Sequence, residues 1–454
     1  MFPPENKNGL AWDMTKREAE AFIDEINQYG ISPGLESVRE LCKRLGNPQD
    51  QLTFVHIAGT NGKGSVLKLV SDACKESGIR TGRYLSPVLQ DYRERFQING
   101  RMIARTKLYA YLERLKQVCE KMVQDGFHHP TAFEMETALA FLYFKEENCD
   151  LVVLETGMGG DLDATNIIRE AKVVVFTSIS MDHMAFLGNS LSQIAAHKAG
   201  ILKKGAKVVC YPSKEEALAV IKQKASECGI AGEDIVVTDE ALLRQVKYRL
   251  KGQQFSYKEY AGIKLGLAGG YQILNAAVAL DVLDALKELG FAVKEAAVRK
   301  AFEQASWSGR MEVIGEKPTF LIDGAHNEDA AKQLAQSIGL YLKGKKLLYI
   351  MGVLRDKDYE SMIRQTYRYA SHIITVKTPN NPRAMDAYEL AKEVSRYHDS
   401  VTAADSLTEA VEMAYLLADR DSVILAFGSL SYLGELKQIV QNRNAGKPKP
   451  AVKI

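Results

Sequence analysis

The sequence predicts an α/β protein: a larger N-terminal domain built on a parallel sheet with a P-loop-type turn and a small antiparallel patch, followed by a smaller, Rossmann-like α/β domain. Three observations predict it. The chain has 454 residues, too many for one hydrophobic core of ordinary size. Short, continuously apolar runs alternate with amphipathic stretches in both halves, the pattern of parallel strands covered by helices on both faces. One of those runs ends in a glycine-rich turn, GTNGKGS at 59–65, ahead of a helix-forming segment.

In chain order, LTFVHIA (52–58), DLVVLET (150–156), KVVVFTSIS (172–180) and AKVVC (206–210) read as buried strands. Helical periodicity marks VLKLVSDACKESG (66–78), TKLYAYLERLKQVCEKMVQDG (106–126) and AFEMETALAFLYFKEEN (132–148) between them. The pattern changes in VKYRLKGQQFSYKEYAGIKLGL (246–267), where alternation and turn residues predict the antiparallel patch. Two helices follow, at 271–290 and 293–305. A second α/β alternation begins near Met311, with TFLIDGAH, KKLLYIMGV, HIITV and DSVILAFG as strands. The boundary is expected in SWSGRME, giving domains 1–309 and 310–454, and the polar tail NRNAGKPKPAVKI is expected to be mobile.

Bulk composition narrows the function. With 59 Lys+Arg against 57 Asp+Glu there is no charge excess to favour nucleic acid or an acidic membrane surface. No apolar stretch approaches the roughly 20 residues of a membrane span, and MFPPENKNGLAWDM lacks the basic-then-apolar form of a signal peptide. A cytoplasmic protein is expected. Six scattered cysteines without a C-x-x-C pair read as buried thiols rather than disulfides or a zinc site.

Strand, glycine turn, lysine, hydroxyl and helix is an arrangement that offers backbone N–H groups and a helix N-terminus to phosphate. Gly59, Gly62 and Gly64 allow close approach, Thr60 and Asn61 complete the turn, Lys63 supplies a cation and Ser65 a metal-binding hydroxyl. The fit to the common P-loop expression is imperfect, because only two residues separate Gly59 from Gly62-Lys63 and Gly64 precedes Ser65. Two further strand ends carry chemistry: Glu155 before a second glycine turn, and Asp182-His183 beyond KVVVFTSIS. Ligands of open parallel sheets gather at the carboxyl ends of strands. Mg²⁺ held by Ser65 and Glu155, with His183 on a second ion, is therefore the expected arrangement. No N-K-x-D follows a strand to read guanine, which argues against a GTPase switch.

At these residues the chain resembles the folylpolyglutamate synthase/dihydrofolate synthase family of the Mur ligase superfamily. The matching segments are GTNGKGS, LETGMGGDLDATN, SISMDHMAFLG, HKAGILKKG, NAAVAL, WSGRME, DGAHNEDAAKQL, GVLRDKD and FGSLSYLGE, in the family's order. The resemblance implies an ATP-dependent ligase that adds L-glutamate to the terminal carboxylate of a reduced folate, or of dihydropteroate, through an acyl phosphate. It implies ATP and two Mg²⁺ ions as cofactors and small-molecule substrates; the charge balance and hydropathy lead to no nucleic-acid or membrane partner, and a monomer is expected because no obvious interface helix is left over.

By position, the resemblance puts ATP phosphates on Gly59–Ser65, metal on Ser65, Glu155, His183 and Lys198, and Lys198 in a carbamylated form. Lys63, His183, Lys198 and Arg310 would be catalytic. Asn275 would contact the adenine end of ATP, and Arg310, Asp323 and His326 would also serve the nucleotide. Phe133, Ser86 and Asp163 would face the acceptor, with Arg93 and Arg95 as candidate partners of a glutamyl tail. The chain departs from the family pattern at Val88, Asp161, His197 and Tyr271. The alternatives are another Mur-type amino-acid ligase and a non-catalytic folate- or nucleotide-binding relative; against the first, only about fifty residues precede the phosphate-turn strand, few for a separate precursor-binding domain.

Overall fold

The computed structural model describes residues 14–30 and 34–445. The chain before Met14 and the tail from Gly446, with the expectations of a missing signal peptide and a mobile tail, lie outside them. Asn442–Asn444, expected as part of that tail, instead end the helix Leu430–Asn444. Arg443 stacks on Tyr415 at 4.2 Å and pairs with Glu412 at 3.3 Å, contacts that extend the helix.

Among the described residues two compact units form by packing, one within 1–240 and 275–301 and the other within 241–274 and 302–454. The expected division near 309/310 is thus not a single cut. The antiparallel patch groups with the second unit because its floor is tied there: Gly266 N–H donates to Phe302 O (2.9 Å), Tyr341 Oη to Gln253 Oε1 (2.6 Å), and Gly270 N–H to Ser337 Oγ (3.1 Å).

The strands of the first unit are β1 (Phe54–Ala58), β2 (Thr81–Tyr84), β3 (Phe96–Ile98), β4 (Arg101–Met102), β5 (Leu151–Glu155), β6 (Val173–Phe176), β7 (Lys207–Cys210) and β8 (Ile235–Val237). They form one sheet in the order β4-β3-β2-β5-β1-β6-β7-β8, parallel from β2 to β8, with β3 and β4 antiparallel. Strand β1 is central and wholly buried, and Ile57 stands level with Glu155 on β5 and Val175 on β6.

Strand β2 carries no apolar run and went unread in the sequence. Its Arg83 is buried, yet donates to Asp72 (3.0 Å) on the helix Lys63–Glu76 and to Gln97 on β3, so a polar strand is stabilised inside by a complete hydrogen-bond set.

In the second unit, β9 (Arg244–Lys247), β10 (Gln253–Tyr257) and β11 (Tyr260–Leu265) make an antiparallel sheet. Six further strands, β12 (Glu312–Glu316), β13 (Thr319–Ile322), β14 (Leu347–Met351), β15 (His372–Thr375), β16 (Val401–Ala403) and β17 (Val423–Phe427), lie in the order β12-β13-β17-β14-β15-β16. All are parallel except β12. This is the Rossmann-like architecture that the second apolar alternation implied. No helix among the described residues is long and apolar enough to cross a membrane, and the six cysteines are free thiols.

One buried group in β1 makes stability pH-dependent. His56 is fully buried, with Nε2 2.9 Å from Thr165 Oγ1. Thr165 Oγ1 itself donates to Asp163 Oδ1, so His56 Nε2 must be the protonated nitrogen; Nδ1 has no partner. Burial, with Lys203 nearby, pushes the imidazole down to about 3. Between about pH 6.5 and 3 the unfolded chain therefore binds a proton that the folded chain refuses, and stability falls as pH drops through that window. The expected loss from this residue is about 2 kcal/mol at pH 5. Urea unfolding at pH 7 and 5 checks it: His56→Gln should be less acid-sensitive than the parent by that amount, and equal sensitivity would acquit His56.

Candidate active site

Strand β1 delivers its turn to the carboxyl edge of the parallel region. Gly59 has φ +153° and Gly62 φ +93°, and both are pressed by neighbours: a Cβ at Gly59 would lie 1.9 Å from Thr177 Oγ1, and one at Gly62 2.6 Å from Asn275 Oδ1. No other residue type fits either position. The turn is stitched to the chain leaving β6. Thr60 N–H donates to Ser178 O (2.7 Å), Thr60 Oγ1 to Ser180 O (3.1 Å), and Asn61 N–H bonds Ser178 O more weakly at 3.4 Å. These stitches, which the sequence did not disclose, hold the turn open ahead of the helix Lys63–Glu76, on which Ser65 is buried.

Two lysines converge on one backbone oxygen. Lys63 Nζ donates to Gly59 O (3.1 Å) and lies 3.4 Å from Thr60 O, while Lys198 Nζ, from the helix Leu191–Ala199, donates to the same Gly59 O at 2.8 Å. Lys198 is buried. Loss of hydration, followed by repulsion from Lys63, brings its ammonium down to about 7. A substantial fraction of this amine is then neutral near pH 7, the form that can add CO₂ to give a carbamate.

Glu155, buried at the end of β5, stands beside β1. His183 opens the short helix Met184–Leu187 in the left-handed conformation (φ +51°) with an exposed side chain, 4.0 Å from Asp182 Oδ2. Among the described residues no three His, Cys, Asp or Glu gather as a metal site. The expected set draws only Glu155 and His183 from those types. A serine hydroxyl and a carboxylate are hard oxygen donors, and Mg²⁺ is commonly held by one or two carboxylates plus substrate phosphates, so Ser65 and Glu155 fit magnesium.

The second glycine turn is held by Asp163. Its Oδ2 accepts from the N–H groups of Gly157 (2.8 Å) and Met158 (2.9 Å), and its Oδ1 from Thr165 N–H and Oγ1. Burial raises this carboxyl despite those bonds. Asp163 is thus engaged by its own loop. Phe133, half-buried on the helix Ala132–Glu146, lies on Gly157, where a Cβ would meet its Cζ at 2.6 Å; its ring centroid is 6.0 Å from that of Tyr84. Ser86, half-buried just beyond β2, precedes Pro87 through a cis peptide. Arg93 is forked onto Asp91, and Arg95 faces Glu136 at 3.2 Å, so the structure already pairs both proposed tail-binding arginines.

Two of the sequence departures turn out to be partners. His197 Nδ1 lies 2.9 Å from Asp161 Oδ2, and Asp161 N–H donates to His197 O at 2.9 Å, which ties the second glycine turn to the helix of Lys198. Asn275 is buried with its carboxamide against Gly62, at the phosphate turn, whereas the resemblance puts it at the adenine end.

A second group of residues forms at the end of β13. Asp323 is buried; Oδ2 accepts from Met311 N–H (2.9 Å) and Tyr271 Oη (3.1 Å), and Oδ1 from Ala325 N–H (2.9 Å). Burial raises the Asp323 carboxyl against the opposing pull of Arg310. Arg310 lies over Gly324, where a Cβ would sit 2.0 Å from Nη1, and donates to Gly309 O; His326 Nδ1 is 2.7 Å from Gly324 O. The structure therefore brings Arg310, Asp323 and His326 together, and adds Tyr271, which the sequence marked only as a departure.

A phosphate turn closing the central strand of a parallel sheet, a strand-end carboxylate, a buried lysine on the turn's first carbonyl and a separate Rossmann-like unit define a Mur-type ATP-dependent ligase. Residues 57–283 match the Mur ligase middle domain and residues 309–430 the Mur ligase, glutamate ligase domain. The dihydrofolate synthase/folylpolyglutamate synthase of Bacillus subtilis (strain 168) is 32% identical over 430 residues, spanning 93% of this chain and 98% of that protein. The folylpolyglutamate synthase of Lacticaseibacillus casei is 32% identical over 85% of this chain and 91% of its own. Among solved structures, Mycobacterium tuberculosis folylpolyglutamate synthase complexed with ADP superposes with a TM-score of 0.85 at 29% identity, covering 93% of this chain and 99% of that one. The chain belongs to the dihydrofolate synthase/folylpolyglutamate synthase family.

Proposed function

We propose that this ligase activates the terminal carboxylate of a reduced folate with ATP and joins L-glutamate to it. The carboxylate oxygen attacks the γ-phosphorus, ADP leaves, and the glutamate amine displaces phosphate from the acyl phosphate, lengthening the glutamyl tail by one. The observation that carries this reading is the pair of lysines on the Gly59 carbonyl at the mouth of the phosphate turn. A carboxylate meeting ATP is an encounter of anions, and cations fixed in advance lower its barrier.

In this reading the turn Gly59–Ser65 binds the phosphates through backbone N–H groups other than those of Thr60 and Asn61, which donate to Ser178 O, and Lys63 neutralises charge on the transferred group. Ser65, Glu155, His183 and a carbamate of Lys198 would hold two Mg²⁺ ions, and the ions would supply Lewis-acid polarisation of the phosphates. Carbamylation balances as amine plus CO₂ giving carbamate and one proton. Arg310, with Asp323 and His326, serves the nucleotide. Half-buried Phe133 would stack on the flat heterocycle, and Ser86 would also face the acceptor. The protein acts in the cytoplasm as a monomer on small molecules alone.

The Bacillus subtilis relative carries both activities in its name, dihydrofolate synthase and folylpolyglutamate synthase, which supports dihydropteroate as a second acceptor. Phosphate release from Mg-ATP with glutamate and either tetrahydrofolate, dihydropteroate or no acceptor, followed by mass analysis, tests both. Release that requires tetrahydrofolate and yields one added glutamyl unit supports the proposal, and activity with dihydropteroate extends it to dihydrofolate synthesis. Acceptor-independent release, or none, would overturn it.

A further inference from the structure

The three-stranded sheet of the second unit carries a cavity that the ligase chemistry does not use. It encloses about 510 Å³ and is lined by Lys247, Arg249, Lys251 and Lys264, with Glu303 the one carboxylate. Gly252 and Gly266 open its floor; a Cβ at Gly266 would lie 2.4 Å from Ala305 O. The strand register arranges the cations. Lys247 on β9 stands opposite Gln254 on β10, and Gln254 opposite Lys264 on β11, so all three side chains share one face of the sheet. Lys247 and Lys264 are two interstrand spacings apart, about 10 Å, with an amide between them.

Near-neutral proteins disperse their cations among acids, and this chain has nearly equal numbers of each. Four cations facing one carboxylate around a concavity is a local departure. Two of the four are tied only at exposed sites, Lys264 to Glu303 (2.9 Å) and Lys251 to Glu316 (2.8 Å), pairs weak enough to exchange for a ligand. Lys247 and Arg249 make no ion pair among the described residues. With the backbones of Lys247 and Lys264 about 10 Å apart and Arg249 and Lys251 on the same rim, the cations can meet several anionic groups spaced along one chain.

We propose that this cavity binds a flexible polycarboxylate, specifically a γ-linked glutamyl tail of several units. The proposal rests on the reading of the enzyme as a folate–glutamate ligase. Each round of that reaction consumes one carboxylate and adds two, so the product gains one negative charge per turn. A basic site outside the reacting groups therefore distinguishes long tails from short ones by charge alone, and more strongly at low salt.

The probe is a γ-linked pentaglutamate without a pterin, titrated calorimetrically into the full chain at low and high salt, with tripolyphosphate in a parallel arm. Binding that weakens with salt, and falls about tenfold in Lys247→Ala/Arg249→Ala, as the loss of two exposed charge contacts implies, is the expected result. The variant should keep the parent's melting temperature and its turnover with a monoglutamyl acceptor. No binding of pentaglutamate, equal binding by parent and variant, or binding of tripolyphosphate alone would overturn the proposal. Turnover of the parent with a monoglutamyl folate is measured separately: its absence refutes the ligase reading, whereas the tail-only titration decides the cavity.

Discussion

Replacing Lys63 with alanine is expected to lower turnover by at least about 100-fold, the scale of one lost electrostatic contact to a developing transition state. The side chain lies on the helix that leaves the phosphate turn and already points at that turn, through Gly59 O and Thr60 O. Half-buried and bonded only to carbonyls of its own loop, it contributes little to the core, so the melting temperature should move by no more than a few degrees. Because the cation acts on charge that grows during transfer, the loss should appear mainly in kcat. His183→Ala should lose a similar factor with no effect on stability, since His183 is exposed. Steady-state phosphate release and a thermal melt of each variant check both; a near-normal rate would remove that residue from the mechanism.

Lys198→Ala is expected to cost at least as much, about 100-fold or more, through loss of a metal-ligand oxygen. The buried position of Lys198 makes a second prediction possible. Its amine comes down to about 7, so the neutral, CO₂-reactive form dominates above that pH and the ammonium below it. Added bicarbonate should therefore stimulate the parent more at pH 6 than at pH 8, while Lys198→Ala should not respond at either pH. Intact-protein mass under native conditions should show one CO₂ on the parent and none on the variant. An unmodified parent with full, bicarbonate-independent activity would refute the carbamate and leave Lys198 as a cation beside Lys63.

The parallel sheets were legible because strands buried on both faces need unbroken apolar runs: β1, β5, β6, β7, β13, β14, β15 and β17 all fall in segments read as such. Strand β2 was not, because its buried arginine is satisfied by Asp72 and Gln97, partners distant in sequence. The phosphate turn was legible from its glycines, whose backbone requirement is local. The depressed Lys198 was not, because it depends on how tightly a helix some 130 residues downstream packs on Gly59.

By itself, then, the sequence determined the two α/β alternations and the glycine-rich turn that ends β1, which rest on short-range pattern and side-chain chemistry. Only the tertiary structure decided what those residues contact. It joined Asp161 to His197, turned Asp163 onto its own loop, paired Arg95 with Glu136, and gave Asp323 to Tyr271. It also grouped β9–β11 with the second unit and aligned Lys247 with Lys264 across them. The reason is physical: hydrogen bonds, desolvation and cross-strand neighbours depend on distances between segments far apart in the chain, and local pattern does not encode those distances.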